Sequence, residues 1–136
     1  MGKINSNTKG KVGEREVAQL LREYGFEARR GVQYSGGSDS PDVVSSLPLH
    51  IEVKRVEALN LYGAVEQAKK DSGGVDYAIF HRKNNKEWLV VLDARVFLEM
   101  MSNMEYLNFK YGVKVKGEDL TPRDGRLIST LESEMR

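Results

Sequence analysis

Three residues that could do chemistry together lie near the middle of the chain: Asp42, Glu52 and Lys54. The stretch HIEVKRVE, residues 50–57, alternates apolar and polar residues, which predicts a β-strand. Because side chains alternate between the two faces of a strand, Glu52 and Lys54 are expected on the same face. An acid two residues before a lysine arises roughly once or twice by chance in such a composition. The pair alone is therefore equally compatible with an ion pair at the surface.

Asp42 extends this pair into a candidate metal site. It opens the short strand DVVSS directly after Pro41, and a Leu-Pro turn separates that strand from HIEVKRV, which predicts a β-hairpin. The hairpin would bring Asp42 beside Glu52, and two close carboxylates are costly to bury unless a cation is present. Oxygen ligands without histidine or cysteine favour Mg²⁺ or Mn²⁺. Lys54 would then offset charge on a phosphate or help to orient and deprotonate a water.

The elements that must position these residues alternate between helices and strands. Apolar spacing predicts helices over 11–24 and 61–72 and a third helix capped by Asp93. Predicted strands cover 26–34, DVVSS, HIEVKRV, VDYAIFHR and EWLVVL, the last two joined by the turn KNNK. This order predicts an α/β fold with a mixed central β-sheet flanked by helices. The 136 residues fit one domain, with a flexible arm at 1–8, a core at 9–103 and a C-terminal extension at 104–136.

The composition excludes several classes of protein. There is no cysteine, so neither disulfides nor thiolate metal sites can form, and two histidines leave little room for a zinc site. No apolar run approaches the roughly 18 residues of a membrane span, and the N-terminus lacks the apolar region of a signal peptide. The expected location is therefore the cytoplasm, without membrane association.

The net charge of +1 does not by itself indicate nucleic-acid binding, but the basic residues are clustered. They could form a stripe that contacts DNA phosphates or an ordinary solvated surface. The loop YSGGSDSPD, which leads into Asp42, could approach a phosphate through its glycines and serines or serve as a plain connector. The candidate DNA contacts are Lys9, Lys11, Arg15, Arg29, Arg30, Ser35, Ser38 and Ser40.

These motifs together resemble a known group of nucleases. The segment SPDVVSSLPLHIEVK is similar to the PD-(D/E)xK signature of the restriction-endonuclease-like superfamily. A longer resemblance covers residues 9–92, which are similar to the archaeal-type and phage-type Holliday junction resolvases. The features that carry it are, in order, KGKVGERE, a helix, GF, paired arginines, a Ser/Gly loop, PD and IEVK. The resemblance implies a restriction-endonuclease-like core.

The resemblance also implies the roles of individual residues. Asp42 and Glu52 fall on the metal ligands, Lys54 on the catalytic lysine, Glu14 on the acid of the first helix and Gln67 on a glutamine of the next helix. The carbonyl of Val53 is a further candidate metal ligand, and Glu14 would complete the acidic cluster directly or through a water. Helical geometry places Glu14 at one border of the apolar face and Glu16 at the other, and Glu14 is the preferred candidate.

The function implied is that of a Mg²⁺-dependent endodeoxyribonuclease, with Mn²⁺ as a substitute, in which an activated water attacks the phosphodiester. The favoured substrate is branched or junction DNA, cut by a homodimeric, resolvase-like enzyme of a phage or mobile element, in the host cytoplasm if phage-encoded. Three alternatives remain: a restriction, repair or replication nuclease of the same superfamily that acts on duplex or flap DNA, an inactive DNA-binding module, and a structural α/β protein.

Overall fold

The structure, a computed structural model, describes residues 6–31 and 40–111. Its helices are α1 (Ser6–Glu23), α2 (Leu61–Asp71) and α3 (Ala94–Tyr111). Its strands are β1 (Ala28–Arg30), β2 (Val43–Ser45), β3 (His50–Lys54), β4 (Tyr77–His81) and β5 (Leu89–Leu92). The chain divides into two compact units between Asp93 and Ala94, so the whole sheet lies in the first unit and α3 in the second.

The five strands form one sheet in their sequence order, from β1 to β5. Strands β3 and β4 are parallel and are connected through α2, whereas the other three neighbouring pairs are antiparallel. The predicted α/β fold with a mixed sheet is therefore confirmed. The predicted hairpin is also present, because β2 pairs with β3 and Val43 lies opposite Ile51.

Helix α1 covers one face of this sheet. Its apolar residues Val17, Ala18 and Leu21 are buried in a core cluster with Val43, Ile51, Val53, Ala78 and Phe80 of the strands. Gly13 lets the middle of the helix approach β3, because a Cβ there would lie 3.1 Å from the Arg55 Cβ and 3.3 Å from the Val53 Cγ1. The next residue, Glu14, is thereby held close to the sheet.

Helix α2 covers the opposite face of the central strands. Ala64 and Ala68 pack in a second cluster with Tyr77 and Ile79 of β4, where their small side chains allow close contact. The parallel register sets Glu52 opposite Ile79. Glu52 therefore lies on the α2 face, while its neighbours Ile51 and Val53 belong to the core under α1, as the alternating sequence predicts.

Some predicted boundaries differ from those of the structure. Helix α1 begins at Ser6, so residues 6–8 of the predicted flexible arm are helical. These residues carry no apolar stripe, and apolar periodicity therefore could not predict that they are helical. The predicted strand 26–34 is observed only at Ala28–Arg30, and its residues 32–34 lie outside the described ranges. Residues 112–136 of the predicted C-terminal extension lie outside them as well. Within the described part of the chain, no helix has the length and apolar character needed to cross a membrane.

Candidate active site

The candidate site forms where β2 begins and β3 passes beside it. The Asp42 N–H donates to the Ile51 carbonyl oxygen at 2.9 Å, which continues the hairpin pairing beyond Val43. The Val53 N–H donates to Asp42 Oδ2 at 2.8 Å. The main chain of β3 thus holds the Asp42 side chain directly, and the predicted meeting of the hairpin's two carboxylates has a structural basis.

The main chain at the end of β1 packs closely against the residues at Asp42. The Gly31 N–H donates to the Asp42 carbonyl oxygen at 2.9 Å. A Cβ on Gly31 would lie only 2.1 Å from the Pro41 carbonyl oxygen, which is less than any real contact allows. A glycine at this position is therefore what lets the end of β1 pack directly against Pro41 and Asp42.

Asp42 and Glu52 are neighbouring carboxyl groups that share a hydrogen bond. Burial and the charge of Glu52 raise the pKa of Asp42 to about 7, against the opposing effects of the Val53 N–H and Lys54. Burial is also the main cause that raises the pKa of Glu52, which is only 8% exposed. Without a bound cation, the pair therefore retains a proton at pH values at which two separate carboxyl groups would both be ionised.

This raised pKa makes a prediction for stability. Asp42 ionises near its ordinary pKa of 3.8 in the unfolded chain but near 7 in the fold, so a rise in pH between these values destabilises the metal-free protein. Asp42→Asn removes this titration and keeps an oxygen that can accept from the Val53 N–H. We expect the variant's free energy of unfolding to increase relative to wild type by up to about 1.4 kcal/mol per pH unit in this interval. Urea unfolding in EDTA from pH 4 to 8 measures this, and a pH-independent difference would contradict it.

Lys54 stands at the end of β3 on the same face as Glu52. Its positive charge lowers the pKa of both Asp42 and Glu52, which shows that its ammonium group lies near the pair. The three residues singled out in the sequence are thus brought together. Two acids with a neighbouring cation can bind a divalent ion and stabilise negative charge on a phosphate.

Glu14 reaches the edge of this group from α1. Its charge contributes to raising the pKa of Glu52, and its Oε2 accepts from Arg30 Nε at 2.7 Å. Glu16 is occupied elsewhere: its Oε2 accepts from Arg82 Nη1 at 2.6 Å and from Trp88 Nε1 at 3.1 Å. The helical-wheel argument preferred Glu14, and Glu14 is the acid of α1 whose charge contributes to the raised pKa of Glu52.

The chain matches the family model described as archaeal Holliday junction resolvase (Hjc) over residues 5–121. That match spans most of its 136 residues. The chain belongs to the Hjc family. Among solved structures it is similar to Hjc of Archaeoglobus fulgidus, a Holliday junction resolvase from an archaeal hyperthermophile, with 27% identity over 61% of this chain and 76% of that one and a TM-score of 0.47. A comparison with curated proteins gave no match.

The predicted DNA contacts of this Hjc-family chain have varied surroundings. Lys11, Arg15 and Arg29 are exposed, and Ser40 is half-buried next to Pro41. Lys9 Nζ lies 3.5 Å from Asn84 Oδ1 and 4.0 Å from Glu57 Oε1, which ties the start of α1 to the β4–β5 turn. Ser35 and Ser38 lie outside the described residues. Arg30 was predicted to grip a phosphate, but its Nε is bound to Glu14, so it also organises the site.

Gln67, assigned from the resemblance, is exposed on α2 and donates through Nε2 to both carboxylate oxygens of Asp71 at 2.9 Å. Asp71 in turn contributes to the raised pKa of Glu52. Gln67 is therefore linked to the carboxyl pair through Asp71, and its catalytic role stays a prediction.

His50 is the residue that sequence reasoning missed. It is 7% exposed, and its Nε2 lies 2.7 Å from Glu52 Oε1. Burial lowers the pKa of His50 below the ordinary value of a histidine. The only sequence signal was its place two residues before Glu52 on the same strand face, which is equally typical of a structural or exposed histidine.

Proposed function

We propose that this Hjc-family chain is a metal-dependent endonuclease that cleaves branched DNA at the site formed by Asp42, Glu52 and Lys54. The observation that carries the proposal is the buried carboxyl pair, which shares a hydrogen bond, has raised pKa values and lies next to a lysine. Such a pair is costly in a merely structural role, whereas a bound divalent cation would offset the repulsion.

The residues present fit a hard divalent ion. Within residues 8–31 and 40–105, no group of three or more acidic, histidine or cysteine side chains is arranged to hold a metal. Mg²⁺ does not need one, because it is usually bound by one or two carboxylates together with waters and substrate phosphates. Asp42 and Glu52 would supply the carboxylates, with the Val53 carbonyl as a further ligand. Glu14, bound to Arg30, would contribute through a water.

Each residue of the site then has a distinct part in hydrolysis. A bound divalent ion supplies Lewis acidity, which lowers the pKa of an attacking water and offsets charge on the phosphate. Asp42 and Glu52 give up their shared proton when the site is loaded, and the Val53 N–H holds Asp42 Oδ2 in place. Lys54 donates to the phosphate oxygen on which charge develops, or helps to orient and deprotonate the water.

The choice of branched DNA rests on the family. The matching family model is described as archaeal Holliday junction resolvase, and we extend that substrate class to this chain. A homodimer would present two such sites to opposing strands of a junction. Use of Mg²⁺ with Mn²⁺ as a substitute, a homodimer, a cytoplasmic location and an origin in a phage or mobile element stay predictions, as does the single-domain organisation with an extension at 104–136.

A substrate panel tests the proposal. The protein with Mg²⁺ is incubated with a four-way junction, a flap and a linear duplex that share the same arm sequences. We expect paired cleavage of the junction at a rate at least about 100-fold above that of the linear duplex, since discrimination of a few kcal/mol is typical of a shape-selective site. Preference for the flap or the duplex would instead assign the chain to another nuclease activity.

The panel is repeated without metal and at several salt concentrations. EDTA should abolish cleavage, and Mn²⁺ should restore it. Junction binding should weaken steeply with salt if the exposed basic residues contact phosphates. Binding without cleavage under every metal condition would favour the inactive DNA-binding alternative.

A further inference from the structure

We propose that His50 is a positioning residue, which fixes one oxygen of Glu52 and thereby presents the other oxygen to the metal. The inference deepens the proposed function and rests on it. The sequence pattern alone assigns His50 no role, and the proposed reaction needs no histidine. Its contact with Glu52 gives it a specific part in the site.

The contact between the two side chains is short and shielded from water. His50 Nε2 lies 2.7 Å from Glu52 Oε1, with side chains that are only 6% and 11% exposed. Both residues are on β3, two positions apart, so the pleat of the strand places their side chains on the same face. The strand geometry itself therefore keeps the imidazole beside the carboxylate.

The imidazole is held in this position by its surroundings. The His50 N–H donates to the Asp76 carbonyl oxygen at 2.8 Å, and His50 lies opposite the buried Tyr77 in the parallel register. Ala64 and Ala68 bring α2 onto the same region of the sheet. A buried side chain in such a packed layer loses most of its rotamer freedom before any ligand binds. The entropic cost of ordering Glu52 is therefore met when the protein folds.

The contact with His50 determines which oxygen of Glu52 the protein holds. Asp42 Oδ2 accepts from the Val53 N–H, and Glu52 Oε1 is in contact with His50 Nε2. An ionised Glu52 carries no proton, so Nε2 must be the protonated nitrogen in the loaded site. Glu52 then has one oxygen held by His50, and its other oxygen would be directed to the metal. Hydrogen bonds of this kind to metal-ligating carboxylates orient them, and their loss typically weakens metal affinity about 10- to 100-fold.

Metal binding without DNA tests this directly. Mn²⁺ is titrated calorimetrically into metal-free wild type, His50→Leu and His50→Gln. Leucine fills similar space without a donor, whereas the glutamine amide can still donate towards Glu52. We expect His50→Leu to bind Mn²⁺ about 10-fold or more weakly and His50→Gln to recover most of the affinity. Circular dichroism melts check folding, and His50→Met replaces the leucine variant if that variant does not melt cooperatively.

His81→Leu is the matched control. His81 lies opposite Lys54 on the same sheet face, but its Nε2 contacts the Val56 carbonyl oxygen rather than a carboxylate. We expect its Mn²⁺ affinity to stay within about 3-fold of wild type, because no ligand oxygen loses a partner. Wild-type affinity in His50→Leu, or an equal loss in His50→Gln and His50→Leu, would overturn the role of His50.

One further variant separates this inference from the proposed function. Asp42→Asn should bind Mn²⁺ far more weakly than wild type if the site is correctly assigned. If wild type and Asp42→Asn give the same titration, the proposed site is wrong and the role of His50 fails with it. If only Asp42→Asn loses affinity and His50→Leu does not, the site stands and the inference about His50 alone is rejected.

Discussion

Asp42→Asn is expected to lower the rate of junction cleavage by about 1,000-fold or more, because the proposed metal loses a charged ligand. The substitution is nearly isosteric, and the asparagine oxygen can still accept from the Val53 N–H. Asp42 also takes part in the hairpin through its main-chain N–H, which the change leaves intact. The fold should therefore persist while the chemistry fails.

Single-turnover cleavage of a labelled junction in saturating Mg²⁺ measures this effect without the influence of product release. Junction affinity in EDTA should stay within a few-fold of wild type, since the exposed basic residues are unchanged. Glu16→Gln is the matched control: it also replaces a carboxylate by an amide, but at a residue bound to Arg82 and Trp88. Similar cleavage rates in wild type and Asp42→Asn would show that the reaction takes place elsewhere.

The positions of Asp42, Glu52 and Lys54 were predictable because they depend on short-range rules. The alternation of side chains along β3 puts Glu52 and Lys54 on one face whatever the rest of the chain does. The hairpin follows from two apolar segments separated by a turn, and the observed pairing of Val43 with Ile51 agrees with it. Local periodicity thus predicted that these three residues lie together before their tertiary surroundings were known.

Other features of the site depend on tertiary packing and carry no local signal. The bond from Arg30 to Glu14 joins β1 to α1 and requires both elements to be in place. The tight packing of Gly31 on the Pro41 carbonyl oxygen is equally invisible, because a glycine in the sequence does not reveal what lies next to it. Only the three-dimensional arrangement shows that these residues support Asp42 and its neighbours.

The two histidines illustrate the same limit. Both lie in predicted strands, and neither belongs to a metal-ligand pattern in the sequence. In the structure His50 contacts a carboxylate, whereas His81 contacts a main-chain carbonyl oxygen. Their difference arises from the sheet register and from the position of Glu52, so residue type alone could not distinguish them.

Lys54→Met is expected to lower junction cleavage by about 100- to 1,000-fold, the range found when a donor to a developing negative charge is removed. Methionine keeps much of the apolar stem and removes the ammonium group. Unlike Asp42→Asn, this variant keeps both carboxyl groups, and we expect its Mn²⁺ affinity at pH 8 to stay within a few-fold of wild type. A variant that cleaves more slowly but keeps its Mn²⁺ affinity has lost a charge-stabilising residue and not a metal ligand.

The two measurements, cleavage and Mn²⁺ titration, are made on the same preparation of each protein. Lys70→Met is the control, because Lys70 is an exposed lysine on α2 and its loss changes the net charge equally. Its cleavage rate should remain within about 3-fold of wild type, as expected for a surface substitution away from the site. If Lys54→Met cleaves as fast as Lys70→Met, the ammonium group has no part in the reaction. The bound ion would then supply that stabilisation, since in the described part of the chain His50 is engaged with Glu52 and Arg30 with Glu14.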